Sequence, residues 1–217
     1  MKQFSEQYMT YSSIEEFDPM VKKGLKRVAL VGTPCQINSV RHMQALELVP
    51  SDAISLCIGL FCSGNFIFGP GERAKLATLA NITWEEVRKV NIKETLLLHL
   101  VSGEVKSIDL NQLSFIRRYA CQFCTDYAAE LADISFGGIG AAEGYTTVLA
   151  RTPLGRATLA DCKSNGVIQE FNYQDNASYA TDALNMVRAR SAEKKKKARR
   201  QLKNLNGASV SFDPNVA

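Results

Sequence analysis

Histidine is nearly missing from this 217-residue chain: His42 and His99 are the only two, far apart and without ligand-like neighbours. That leaves no basis for a histidine-driven hydrolase dyad. No apolar run approaches the roughly 18 residues that span a bilayer. The longest, Ala53–Phe61, has the length of a strand. The opening MKQFSEQYMTYSS lacks the apolar centre of a signal peptide. No internal repeat is present, no P-loop lysine spacing, and no GxGxxG fingerprint. These absences lead to the expectation of a cytoplasmic protein whose six cysteines are reduced thiols or ligands rather than disulfides.

What is present is ordinary in bulk and uneven in detail. The hydrophobic fraction of 46% and the charged fraction of 22% suit a globular protein with one sizeable core. The net charge of +4 is local in origin. Between Arg188 and Lys203 lie nine basic residues and one acid, a local +8, so the remainder carries about −4. Basicity confined to one end does not imply a domain-wide nucleic-acid surface. A solvated helix end, with cations near the C-terminal dipole, accounts for the run more simply.

The pattern of elements predicts an α/β fold: a mixed sheet with flanking helices, a small antiparallel insert and a long C-terminal helix. Ser12–Gly24 reads as a helix, with Ser12 and Glu15 at capping-box spacing and Gly24 to close it. Arg27–Val31 is a short β-branched strand that runs through Gly32 into a helix from Gln36 to about Leu48. Ala53–Phe61 reads as a strand covered on both faces. A helix near Gly71–Ala80 follows. Val87–Lys93, Leu96–Ser102 and Glu104–Leu110 read as three short strands, the last two joined at Ser102-Gly103. Asn111 caps a short helix through Arg118. Strands are expected at Ala132–Phe136, Tyr145–Arg151 and Val167–Asn172, and helices at Leu154–Ser164 and 176–205. The expected division is an α/β domain over 1–175, with an insert at about 83–110, and a basic helix and tail over 176–217.

Three cysteine motifs lie at the ends of these elements: GTPC at Gly32–Cys35, LFC at Leu60–Cys62 and CQFC at Cys121–Cys124. An i, i+3 cysteine pair can place two sulfurs on one metal or on neighbouring irons of one cluster. With Cys35 and Cys62 the count reaches four, which suits a [4Fe–4S] cluster or a four-thiolate zinc, while Cys35 and Cys62 as small buried hydrophobes is an equal alternative. Cys57 and Cys162 read as structural. The Gly32-Thr33-Pro34 turn, followed by Gln36, is either a helix N-terminus that holds a phosphate or flavin edge or simply a tight turn. Gly137, Gly138, Gly140 and Gly144 fall within eight residues, followed by Thr146, Thr147 and Arg151. Such a segment lets backbone approach a planar or phosphorylated ligand, with an arginine for a diphosphate, in preference to serving as a plain hairpin loop.

Together, VGTPCQ (Val31–Gln36), IGLFC (Ile58–Cys62), the run Cys121–Ser135 and GGIG…GYTTVLART (Gly137–Thr152) resemble the beta-subunit family of coenzyme F420 hydrogenases and dehydrogenases. The resemblance spans about Val28 to Asn172. It implies a flavoprotein with FAD and a [4Fe–4S] cluster that exchanges a hydride with the deazaflavin coenzyme F420. The implied cluster ligands are Cys35, Cys62, Cys121 and Cys124, and the Gly32–Pro34 turn and the glycine–threonine segment are implied flavin contacts. The implied partner is a hydrogenase or formate dehydrogenase type subunit with further redox centres. Members usually carry more sequence ahead of the first helix, so the flavin pocket is expected to be incomplete here or completed by a segment outside this chain. A shortened relay or assembly subunit that keeps the cluster is the second reading, and a zinc protein with a nucleic-acid-binding tail the third.

Overall fold

A computed structural model describes residues 22–48, 50–92, 95–173 and 178–207. The described residues divide into two compact units, one drawn from 64–122 and the other from 22–63 with 123–207.

The larger unit is built on a four-stranded mixed sheet. Strands β1 (Val28–Gly32), β2 (Ile54–Leu60), β6 (Ile134–Gly137) and β7 (Thr147–Ala150) lie in the order β1-β2-β6-β7. The first two pairings are parallel and the last is antiparallel. Parallel neighbours need a crossover, and helix α1 (Pro34–Ala45) supplies the one between β1 and β2. Its apolar side, Ile37 and Val40, packs with Ile54, Cys57, Ala129 and Ala132 into a buried cluster. The full cover expected of Ala53–Phe61 is only partly realised: Ile54, Cys57 and Gly59 are buried, but Ser55 is exposed and Leu56, Ile58 and Leu60 are half-buried. As an edge strand, β1 leaves Val31 58% exposed.

Helix α3 (Pro153–Ser164) begins at Thr152, whose hydroxyl accepts the Gly155 amide at 3.0 Å. Helix α4 (Tyr179–Gly207) runs 29 residues, about 43 Å at 1.5 Å per residue. It buries Ala183, Val187 and Ala198 on one side, and Val187 joins Tyr127 and Ala128 in a second apolar cluster.

The smaller unit pairs three antiparallel strands, β3 (Val87–Ile92), β4 (Thr95–Leu100) and β5 (Val105–Asp109), with helix α2 (Pro70–Ala80). Strict alternation on β4 buries Leu96, Leu98 and Leu100 against Leu76, Val87, Ile108, Leu113 and Ile116. Its first and last stretches run side by side. Phe66 forms a bridge with Arg117, and the Arg118 amide donates to the Asn65 carbonyl at 2.9 Å.

Three expectations are corrected. The segment after Leu110 is a string of short 3-10 turns rather than one helix, and Asp109, not Asn111, caps the first of them by accepting the Asn111 amide at 2.7 Å. Asn111 sits two residues too late to play that part. No strand forms over Val167–Asn172, where Val167 is 71% exposed and no strand among the described residues pairs with the segment. The helix from Gln36 instead starts at Pro34 and stops at Ala45. The first helix expected, from Ser12, lies outside the described residues up to position 21. Gly24 takes the left-handed φ of +63° that suits a helix-closing glycine.

Candidate cofactor site

Cys35 stands in the first turn of α1, exposed, after a buried Thr33 and a buried Pro34. The Thr33 hydroxyl and the Cys35 sulfur lie 3.2 Å apart, within hydrogen-bond range. The helix start is closed by its own sequence: the Gln36 side-chain oxygen accepts from the Thr33 amide at 2.9 Å and from its hydroxyl at 3.1 Å. Gln36 is thus a cap, and it occupies one of the amides that an anion would need. Gly32 gives the room for it, since a Cβ there would sit 3.1 Å from the Gln36 Cβ.

Cys62 follows β2, with its amide donating to the Tyr127 carbonyl at 2.8 Å. The Cys124 thiol lies 3.5 Å from the Asp126 carbonyl, in the loop that leads to β6. The loop between them and the sheet is tightly specified. Ala129 is fully buried with φ +54°, a conformation that costs a non-glycine residue about 1 kcal/mol. Gly59 on β2 receives it: a Cβ at Gly59 would fall 2.2 Å from the Ala129 Cβ. Asp126 is buried, with one carboxylate oxygen accepting the Glu130 amide at 2.9 Å and the other without a hydrogen-bond partner. Burial is the main cause of its raised pKa, opposed by the amide hydrogen bonds of Glu130 and Ala129. In the smaller unit, the Cys121 sulfur accepts the Asn65 amide at 3.3 Å.

Two side chains outside the cysteine motifs fasten this framework. Asp133 is 5% exposed and accepts from several directions. Its Oδ2 takes the Cys57 amide and the Arg41 guanidinium, both at 2.8 Å, and its Oδ1 takes the Thr152 hydroxyl at 2.8 Å, while its backbone amide donates to the Cys57 carbonyl. Arg41 also donates to the Leu131 carbonyl at 3.0 Å. One carboxylate thereby joins α1, β2 and the start of α3. The second is Lys194 of α4, whose ammonium donates to the Cys62 and Asp126 carbonyls at 2.7 Å each. Sequence reasoning singles out neither. A lone acid inside the apolar stretch Leu131–Phe136 is the available signal for Asp133, whereas Lys194 is indistinguishable from its basic neighbours.

The glycine–threonine segment divides in the same way. Gly137 makes room for the Phe61 ring, 2.0 Å from where a Cβ would be, and Gly140, at φ +78°, comes within 2.7 Å of the Ala183 backbone. Gly138 and Gly144 face open space, and Thr146 is exposed. The Thr147 hydroxyl donates to the Ile139 carbonyl at 2.6 Å. Arg151 turns inward and donates to the Ala128 carbonyl at 2.9 Å; burial lowers its pKa, with the charges of Asp126 and Glu130 opposing.

None of the six cysteines forms a disulfide. Cys57 is fully buried, and burial pushes its thiol pKa up, as befits a core residue. Among the described residues, no group of three or more histidine, cysteine, aspartate or glutamate side chains is gathered as a metal-holding site. Cys35, Cys62 and Cys124 in the larger unit and Cys121 in the smaller are unbridged thiols, the ligand type an iron–sulfur cluster takes, with a hydroxyl beside the sulfur of Cys35 and an amide on that of Cys121. The flavin candidates fit less fully, because Thr33, Gln36, Thr147 and Arg151 already have partners within the fold.

Residues 25–176 match the model of a family described as the C terminus of the coenzyme F420 hydrogenase/dehydrogenase beta subunit. The coenzyme F420 hydrogenase subunit beta of Methanococcus voltae is 32% identical over 85% of this chain and 65% of that protein. The coenzyme F420-dependent sulfite reductase of Methanocaldococcus jannaschii is 35% identical over 66% of this chain, but over 25% of that protein. The F420-dependent formate dehydrogenase subunit beta of the same organism is 27% identical over 82% of this chain and 48% of that protein. The chain therefore spans from a quarter to about two thirds of the length of these relatives. In three dimensions it resembles a chain of the F420-reducing [NiFe] hydrogenase complex from Methanosarcina barkeri, with a TM-score of 0.78 and 23% identity over 94% of this chain and 70% of that one. That likeness bears on the fold.

Proposed function

The chain belongs to the coenzyme F420 hydrogenase/dehydrogenase beta-subunit family, and from that premise we propose that it is the iron–sulfur subunit of an F420-dependent oxidoreductase complex. Cys35, Cys62, Cys121 and Cys124 are the four ligands of a [4Fe–4S] cluster, with FAD alongside and a partner subunit that carries further redox centres. FAD, when bound, interchanges the two-electron hydride chemistry of the deazaflavin with the single-electron steps of a cluster. The chain's own part is positional. The Asn65 amide furnishes a hydrogen bond to the sulfur of Cys121, and such bonds are one of the levers on cluster potential. Gly138, Gly144 and Thr146 offer the open edge against which a flavin can lie.

The observation that carries the reading is the backbone amide of Asn65 held on the Cys121 sulfur. A buried structural cysteine has no need of such a donor, whereas a ligating thiolate gains from it. The experiment is an anaerobic count of iron, acid-labile sulfide and flavin on the purified chain and on its complex. About four irons and four sulfides per chain, with absorbance near 400 nm, are expected of a cubane. One zinc and no such absorbance would sink the proposal.

A second reading is favoured by one observation. Arg151 and the Thr33 amide, the strongest candidates for a flavin diphosphate, are already committed to Ala128 and Gln36. On that reading the chain is a relay or assembly subunit that holds the cluster and lacks a complete FAD site. Stoichiometric cluster with no flavin released on denaturation selects it.

A further inference from the structure

Two lysines in the basic run of α4, Lys194 and Lys195, reach beyond the helix. Lys197, Arg199 and Arg200 lie along the same helix, and Lys197 pairs with Glu193 one turn away. Lys194 instead crosses to the sheet end of the larger unit, where its ammonium donates to the carbonyls of Cys62 and Asp126 at 2.7 Å each. The two carbonyls belong to the two turns that carry Cys62 and Cys124, far apart in sequence. Next to it, Lys195 pairs with Glu130 at 2.7 Å, and two turns back Val187 is buried against Tyr127 and Ala128. The helix thus closes on the Cys124–Glu130 loop with one apolar contact, one ion pair and one ammonium shared between two carbonyls.

Backbone carbonyls are chosen here in place of a carboxylate, although the buried Asp126 side chain has an oxygen to spare. A salt bridge would neutralise the lysine. Two neutral acceptors satisfy two of its three donors without pairing it directly with a carboxylate, although Asp126 lies within its field. We propose that Lys194 is a positioning residue for the iron–sulfur site: it clamps the Cys62 and Cys124 turns together and places a positive charge beside the cluster they hold. The inference rests on the reading of these cysteines as cluster ligands. Both effects have a defined sign. Fixing the turns slows loss of metal, and a cation favours the reduced, more negative state of a cluster, so it raises the reduction potential.

Four variants of the full chain separate these effects: Lys194→Ala, Lys194→Gln, Lys194→Arg and, as a control on the same helix, Lys196→Ala. After anaerobic reconstitution with iron and sulfide, release of iron to a chelator and the midpoint potential of the cluster are measured. Lys194→Ala is expected to lose metal roughly 10–100-fold faster, the usual scale for losing a group that supports a ligand. Lys194→Gln retains a donor but no charge, and is expected to keep its iron with a midpoint potential shifted to more negative values. Lys194→Arg restores both properties, and Lys196→Ala matches the wild type. Wild-type release and potential in Lys194→Ala overturn the inference. If the wild-type chain takes up zinc or no metal, the cluster reading fails by itself. The clamp is then judged on the metal-free chain by hydrogen exchange of the Cys62 amide, which is bonded to Tyr127. Faster exchange in Lys194→Ala than in Lys196→Ala upholds it, and equal exchange overturns it.

Discussion

Asp133 accepts three hydrogen bonds through its buried carboxylate, and its energetics follow from those donors. Removing the carboxylate leaves the Cys57 amide and the Thr152 hydroxyl without their partners and the Arg41 guanidinium without its counter-ion. Buried donors stripped of an acceptor cost about 1–3 kcal/mol each, and the partial exposure of Arg41 tempers its share. Asp133→Ala is therefore expected to destabilise the chain by roughly 3 kcal/mol or more, seen as a lower urea midpoint at unchanged slope. Asp133→Asn, which keeps one acceptor oxygen, is expected to lose less. An alanine variant as stable as the wild type would remove Asp133 from its place as the joint of α1, β2 and α3. At this scale the sequence is half legible. Cys57 reads as a buried structural thiol and is one, because a cysteine in the middle of an apolar strand has nowhere else to go. The partners of Asp133 come from residues 76 and 92 positions away, and no local pattern encodes such distances.

Elements are more legible than residues, and the errors among them have a common cause. The three strands of the smaller unit and the helices starting at Pro70 and Pro153 follow from alternation, proline at the first helical turn and glycine turns. The false strand at Val167–Asn172 has the composition but no strand to pair with among the described residues. The basic run reads as a solvated helix end, yet the apolar positions Ala183, Val187 and Ala198 of that helix are buried. Its closest approach to the glycine loop gives a test at this scale. Gly140 and Gly144 share a left-handed φ near +80°, so alanine at either carries the same backbone penalty of about 1 kcal/mol. Only at Gly140 would the new methyl strike the helix, 2.7 Å from the Ala183 Cα. Gly140→Ala is expected to melt below Gly144→Ala by an amount equivalent to about 1–3 kcal/mol of overpacking. Equal melting temperatures for the two variants would show that α4 yields freely to the loop.

For the whole molecule, the decisive feature is that the two units have separate cores. Phe68, Leu76, Val87, Leu96, Leu98, Leu100, Ile108, Leu113 and Ile116 form a cluster drawn entirely from residues 64–122. The hairpin signals within 83–110 give away the antiparallel strands, but not that α2 and the turns after Leu110 belong with them, because that membership is set by packing. The unit also has its two ends side by side, through the Phe66–Arg117 bridge and the Arg118 amide on the Asn65 carbonyl. A segment with its own core and adjacent ends can fold without the chain that precedes and follows it. At about 60 residues it lies near the lower limit for folding unaided, where burial of the available apolar surface barely exceeds the ordering cost. Residues 64–122 expressed alone are therefore expected to give a dispersed amide NMR spectrum and a single cooperative, low-stability thermal transition. With Asn65 and Cys121 both inside the fragment, the amide held on that sulfur at 3.3 Å should persist, visible as slowed exchange of the Asn65 amide relative to Cys121→Ala. A fragment with collapsed chemical-shift dispersion and no cooperative transition would mean that this core needs the rest of the chain to form.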